Sequence, residues 1–273
     1  MSVLIFDSGI GGLSVMREAR MVLPDHRIVY VGDDAGFPYG EWEENALVSR
    51  ILNLFSELME RYTPSVAIIA CNTASTLILP ELRKRFDIPF VGIVPAIKPA
   101  AERTSSGLVS ILATPGTVNR PRVHNLIAEF ASDIEVNLVG SKKLAKLAED
   151  YMQGAPVDQI VLRDEINPCF IEKNAHERTD IVLLGCTHYP FLVNEMRKVA
   201  PWPVDWLDPA EAVARHAMSV ASREPLNATG KKDIALMTSG SPNAARERLL
   251  RSFGLTIERS SLGAASITAT MHP

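Results

Sequence analysis

The sequence predicts an α/β protein of two domains, each built on a mainly parallel sheet flanked by helices. Three observations carry this. Eight short apolar runs recur along the 273 residues; most are apolar at every position; and helical patterns fall between them. A strand without polar alternation has both faces buried, as in a parallel sheet covered by helices on either side.

Along the chain, the runs are Val3–Phe6, Ile28–Val31, Val66–Ala70, Phe90–Val94, Leu108–Leu112, Ile134–Val139, Ile181–Leu184 and Ile234–Met237. Helical periodicity is clearest over Asn45–Arg61 and Ala244–Phe253. Pro95 and Pro99 punctuate the chain after the fourth run, and Pro201, Pro203 and Pro209 after the seventh. These clusters place a discontinuous first domain at residues 1–96 plus 208–273 and a second at 97–207.

Composition narrows the function classes. Hydrophobic residues at 47% and charged residues at 22% suit a globular protein. A net charge of −4 offers no broad positive field to nucleic acid or anionic lipid. No basic stretch followed by an apolar one opens the chain, so no signal peptide is expected. No apolar run reaches the ~18 residues of a membrane span. Three cysteines, an odd number, argue against a disulfide framework and for a reducing compartment. The expected location is the cytoplasm.

Two segments echo each other. Val66-Ala67-Ile68-Ile69-Ala70-Cys71-Asn72-Thr73 and Ile181-Val182-Leu183-Leu184-Gly185-Cys186-Thr187-His188 are each a buried strand ending in a small residue, a cysteine and polar residues. Ligands in open α/β sheets bind beyond the carboxyl ends of strands. Two halves carrying the same device can therefore serve one cleft. A free thiol has a pKa of ~8.5, so about a tenth is thiolate near pH ~7.5, and a helix N-terminus beside it favours more. Cys169, in Asn167-Pro168-Cys169-Phe170, has no polar cluster around it and reads as a small buried hydrophobe. Cys186 and His188 could share an ion, but a structural zinc needs four ligands and no second cluster lies near Cys71, so no metal is expected. A hydrolase with His188 activating a thiol leaves the second cysteine loop unexplained.

Asp7-Ser8-Gly9-Ile10-Gly11-Gly12-Leu13-Ser14 follows the first run. With Asp33 and Asp34 downstream it competes as a dinucleotide fingerprint. Ser14 at its sixth position and a carboxylate at Asp7 beside a pyrophosphate oppose that reading. Asp7 suits proton handling over a small ligand, or a helix cap. Phe37-Pro38-Tyr39-Gly40 is a turn whose backbone amides and Tyr39 hydroxyl could hold a carboxylate. Thr114 and Thr117 offer two hydroxyls at another strand end. Two thiols, a carboxylate, a histidine and neutral donors fit a small anionic substrate whose C–H bond is broken and remade.

In the same order, Asp7 to Val15, Gly32-Asp33, Pro38-Tyr39-Gly40, Cys71-Asn72-Thr73-Ala74 and Cys186-Thr187-His188-Tyr189-Pro190 resemble the motifs of the glutamate racemases, within the aspartate/glutamate racemase family. The resemblance runs from the first strand to beyond the seventh. It implies an active site between two α/β domains, no cofactor, glutamate as substrate, and supply of D-glutamate for peptidoglycan. It implies Cys71 and Cys186 as the bases with Asp7 and His188 as their helpers. Ser8, Tyr39, Gly40, Asn72, Thr73, Thr117 and Thr187 would bind substrate, with Pro38 and Thr114 in the same loops. Glu149 falls near a family acidic position that assists His188. The family also tends to form homodimers, which the residues themselves do not address.

This chain departs from the family pattern at Ala35-Gly36-Phe37, where an Ala-Arg-like pair is usual, and at Ser141-Lys142, where Cys-Pro is usual. The second departure bears on Glu149. Some members carry an N-terminal extension that receives a cell-wall precursor as activator; here the first strand begins at once, and no such activation is expected. A one-cysteine decarboxylase, a non-catalytic binding protein and an aspartate racemase are the competing readings.

Overall fold

The structure, a computed structural model, describes residues 2–174, 177–221, 232–240, 242–259 and 262. The chain begins β1 (Ser2–Asp7), α1 (Leu13–Val22), β2 (Arg27–Gly32), α2 (Glu44–Tyr62), β3 (Val66–Ile69), α3 (Asn72–Arg85) and β4 (Phe90–Gly92). It continues α4 (Ile97–Arg103), β5 (Leu108–Ala113), α5 (Pro115–Val118), α6 (Pro121–Phe130), β6 (Glu135–Gly140), α7 (Leu144–Met152), α8 (Gln159–Ile166), β7 (Ile181–Gly185), α9 (Val193–Val199) and β8 (Asp205–Leu207). It closes with α10 (Ala210–Val220), β9 (Ile234–Met237), α11 (Ala244–Ser252) and β10 (Thr256–Ile257). Two compact units result, Met1–Ile93 with Glu211–Pro273, and Val94–Ala210.

In the first unit a six-stranded parallel sheet has the order β10-β9-β2-β1-β3-β4. All six residues of β1 are buried, which is why its apolar run shows no alternation. Helix α2 covers one face with a stripe of Leu47, Ile51, Leu54, Phe55 and Leu58 at helical spacing. Glu43 starts it by accepting from the Ala46 amide at 3.0 Å, and Thr63 in the left-handed region ends it. Phe55 packs on Phe6 and Phe90 at ring separations of 5.1 and 5.8 Å. Its truncation to alanine is expected to cost about 3–5 kcal/mol.

In the second unit a four-stranded parallel sheet has the order β6-β5-β7-β8. Val109, Ile111, Val123 and Leu183 centre its core. The fold class expected from the apolar runs is the one observed. Two strands escaped the reading of apolar runs, β8 with its exposed Asp205 and the two-residue β10. Both are edge strands, too short to show a pattern. No helix among the described residues is long and apolar enough to cross a membrane.

The two sheets share a local plan. β1 lies between β2 and β3, and β5 lies between β6 and β7. The chain crosses to one side from β1 to β2 and to the other by β3, and does the same around β5. Such reversals open a crevice at the carboxyl ends of the central strands. One crevice lies beyond β1 and β3, the other beyond β5 and β7.

Candidate active site

Sheet register puts the two cysteines at equivalent places. Phe6 pairs with Ile69 and Leu112 with Leu184; Cys71 and Cys186 each follow two residues later. The same alignment matches Asp7 to Ala113, Ser8 to Thr114, Asn72 to Thr187 and Thr73 to His188. It also matches Asp33 to Ser141, whose amides each donate at 2.8 Å, to the Asp7 and Ala113 carbonyls. Both cysteines are buried and neither is in a disulfide.

Around Cys71, the strand end turns directly into α3, for which Cys71 is the N-cap residue. A thiolate there would face the positive end of a 14-residue helix. The Cys71 thiol points to Ser8 Oγ at 3.6 Å. Asp7 is fully buried, and its Oδ1 accepts from the Gly9 amide at 2.9 Å. It does not cap α1, whose N-cap is Gly12 without a side-chain bond. Gly12 is needed here, because a Cβ would come within 2.7 Å of Asp7 Cβ. Asn72 is 3% exposed, yet among the described residues neither its amide nitrogen nor its amide oxygen has a hydrogen-bond partner. A buried amide left unsatisfied costs about 1–3 kcal/mol, so an orphan at a strand end marks a place for a polar ligand.

Tyr39 and Gly40 follow Pro38 in a short 3-10 turn after β2. The Tyr39 hydroxyl, expected to hold a carboxylate, donates to Asp33 Oδ2 at 2.5 Å. Burial, with the charge of Asp33 and this bond, raises the tyrosine pKa well above its usual value, so the proton stays. What this turn leaves for a ligand is its backbone and the ring. Asp33 and Asp34 are engaged by Arg50 and Arg246, which removes the acidic residues a dinucleotide ribose would need.

Around Cys186 the chain makes a turn and a 3-10 segment at Tyr189–Leu192 before α9. Here the neighbour is a histidine. Cys186 Sγ lies 3.8 Å from His188 Nδ1, and His188 Nε2 lies 2.9 Å from Glu149 Oε1. All three are buried. Burial pushes the imidazole pKa down, but the hydrogen bonds to Cys186 and Glu149, with their charges, outweigh it and hold the value well above normal. Thr187 is buried beside them, and Thr114 Oγ1 and Thr117 Oγ1 lie 3.1 Å apart at the end of β5.

The Ser141 departure has a structural role. Its hydroxyl donates to Glu165 at 2.6 Å and accepts from the Leu144 amide at 3.1 Å, fixing the start of α7, which carries Glu149. At Gly36, the other departure, a Cβ would sit 2.8 Å from Asp33 Oδ2 and 2.9 Å from Arg50 Nε. The guanidinium next to Asp33 comes from Arg50 on α2. Asp33, Arg50, Ser141 and Glu165 were not among the expected site residues. Arg50 had a readable signal, a charge inside the apolar stripe Leu47, Ile51, Leu54. Cys169 is buried, and burial pushes its thiol pKa up to about 12.

With this geometry in place, comparison with known proteins decides the family. Residues 14–217 match the family of Asp/Glu/Hydantoin racemases. The chain belongs to that family. It is accordingly an isomerase of the racemase type. Proteins described as glutamate racemases from Brucella canis and Mesorhizobium japonicum are 58% identical to this racemase, over 93% of its chain and 92% and 98% of theirs. The crystal structure of Escherichia coli glutamate racemase, in complex with L-glutamate and the activator UDP-MurNAc-ala, superposes with a TM-score of 0.86 at 39% identity, covering 94% of this chain and 96% of that one.

Proposed function

We propose that this racemase interconverts L- and D-glutamate without a cofactor, with Cys71 and Cys186 as acid/base groups on opposite faces of one α-carbon. On this reading it supplies D-glutamate for peptidoglycan in the cytoplasm. The observation that carries the proposal is the buried cysteine repeated at one register position beyond the switch points of two sheets. The names of the 58% identical relatives support glutamate as the substrate.

The mechanism follows from the groups present. One cysteine, as thiolate, removes the α-proton; the other, as thiol, delivers its proton to the opposite face. The S–H formed on one side balances the S–H spent on the other, and no oxidation occurs. A base must lie within hydrogen-bond reach of the proton it takes, so two faces require two loops. Charge developing on the α-carboxylate needs donors that are already in place. Asn72, Thr73, Thr114, Thr117, Thr187, Ser8 and the Pro38–Gly40 backbone are assigned to the carboxylates and the amino group. Asp7 serves the Cys71 side. His188, held by Glu149, serves Cys186.

The test is circular dichroism of L-glutamate incubated with dialysed, reduced protein. Decay of the optical signal to zero is expected, with little change for L-aspartate. A signal that persists with folded protein would overturn the proposal, and decay with aspartate alone would change the substrate.

A further inference from the structure

Beyond the groups assigned to substrate, the first unit holds a buried ionic network. Asp33, fully buried at the end of β2, accepts four side-chain hydrogen bonds. Arg50 approaches as a fork, Nε to Oδ2 at 2.7 Å and Nη2 to Oδ1 at 2.5 Å. Tyr39 donates to Oδ2, and Thr238, just after β9, donates to Oδ1 at 2.6 Å. Thr238 Oγ1 also accepts from the Ala35 amide at 3.1 Å. Trp42 lies against Arg50, 5.6 Å from Cζ to ring centroid, and its Nε1 donates to the Gly36 carbonyl at 2.8 Å. β2, β9, α2 and the Tyr39–Gly40 turn therefore meet on one carboxylate.

A buried ion pair is weak evidence for stability, since desolvation offsets most of its attraction. What this arrangement supplies is geometry. A bidentate arginine fixes the plane of the carboxylate, and the carboxylate fixes the tyrosine. The equivalent place in the second unit holds Ser141 instead, which bonds to Glu165 and to the start of α7.

We infer that Arg50 and Thr238 are positioning residues for racemisation, acting through Asp33 to hold the Tyr39–Gly40 turn in register with Cys71. The inference rests on the two-cysteine reading. A wall misplaced by a fraction of an ångström slows the proton transfer at Cys71 and leaves the transfer at Cys186 untouched. Because the two enantiomers are equally stable, kcat/KM must fall equally in both directions. The asymmetry shows instead in isotope effects. When the Cys71 step becomes more rate-limiting, the effect of α-deuterium rises in the direction where Cys71 removes the label. It falls in the direction where Cys186 removes it.

The experiment compares wild type with Thr238→Val and Arg50→Lys, using L- and D-glutamate carrying deuterium at Cα. Arg50→Ala strands a buried carboxylate and risks misfolding; the two milder variants keep the volume or the charge. The expected result is a fall in kcat/KM of about 10-fold in either variant, with the two isotope effects moving in opposite directions. A fall with both isotope effects unchanged, or no fall at all in folded variants, overturns the positioning role. Turnover surviving in Cys71→Ser would instead overturn the two-cysteine reading, so the two failures are told apart.

Discussion

Cys71 and Cys186 stand at one register position on sheets with the same local strand order, yet their neighbours differ. Cys71 begins a 14-residue helix and points to a serine hydroxyl, with a buried aspartate on the adjacent strand end. Cys186 begins a turn and faces a histidine that a buried glutamate holds. The supports differ as well. An ion pair 5% and 0% exposed braces the first, whereas Ser141 and the start of α7 brace the second. The sheet register sets where each thiol stands, and the loops beside it set which groups it meets. On the two-cysteine proposal the thiols serve opposite faces of one α-carbon, and their surroundings offer each a different partner.

The comparison can be broken at the thiols themselves. Cys71→Ser and Cys186→Ser are each expected to lower turnover about 10³-fold or more, since a serine hydroxyl is a far weaker acid. A single mutant retaining a tenth of the activity would show that one side is dispensable. Next come the braces. Arg50→Ala is expected to cost about 3–5 kcal/mol, because Asp33 is left charged and buried. Lys143→Ala, which removes an exposed partner 3.7 Å from Glu165, is expected to cost less than about 1 kcal/mol. Urea unfolding of both variants measures the difference, and equal losses would contradict the contrast between the two braces.

The histidine side has a pH signature. His188 has its folded pKa raised above the usual value near 6.5. A raised pKa stabilises the fold fully below the unfolded value, and this stability is lost as pH rises through the folded value. Glu149→Gln removes one cause of the shift. The gap in urea midpoint between wild type and Glu149→Gln should therefore be widest near pH ~6 and narrow as pH rises. A gap that widens with pH would reverse the sign. Ser141→Ala is expected to cost about 1 kcal/mol for its lost bonds to Leu144 and Glu165, with a modest fall in turnover through α7.

Much of this was legible in the residues. Fully buried strands carry no alternation, so Val3–Phe6 and Ile181–Leu184 announced a parallel sheet, and the small-Cys-polar ending recurred visibly. Glu149, placed only by its neighbourhood in the family pattern, lies 2.9 Å from His188. The illegible parts depend on tertiary partners. Nothing in Phe37-Pro38-Tyr39-Gly40 says that the tyrosine proton goes to Asp33 rather than toward a ligand. Thr238 lies 205 residues from Asp33 in sequence, and only the adjacency of β2 and β9 brings them together. Ser141 reads as a departure until its hydroxyl is seen at the Leu144 amide. Short edge strands such as β8 are held by pairing rather than by pattern, so apolar periodicity passes over them.

Early-time racemisation of L-glutamate in D₂O distinguishes two monoprotic bases from a single one. Both pools are separated by chiral chromatography and weighed by mass spectrometry. Two bases predict a D-glutamate product deuterated at Cα while the remaining L-glutamate keeps its protium. A single base that exchanges with solvent would put deuterium in both pools from the start, and one that does not would leave protium in the D-glutamate product; either result would contradict two bases.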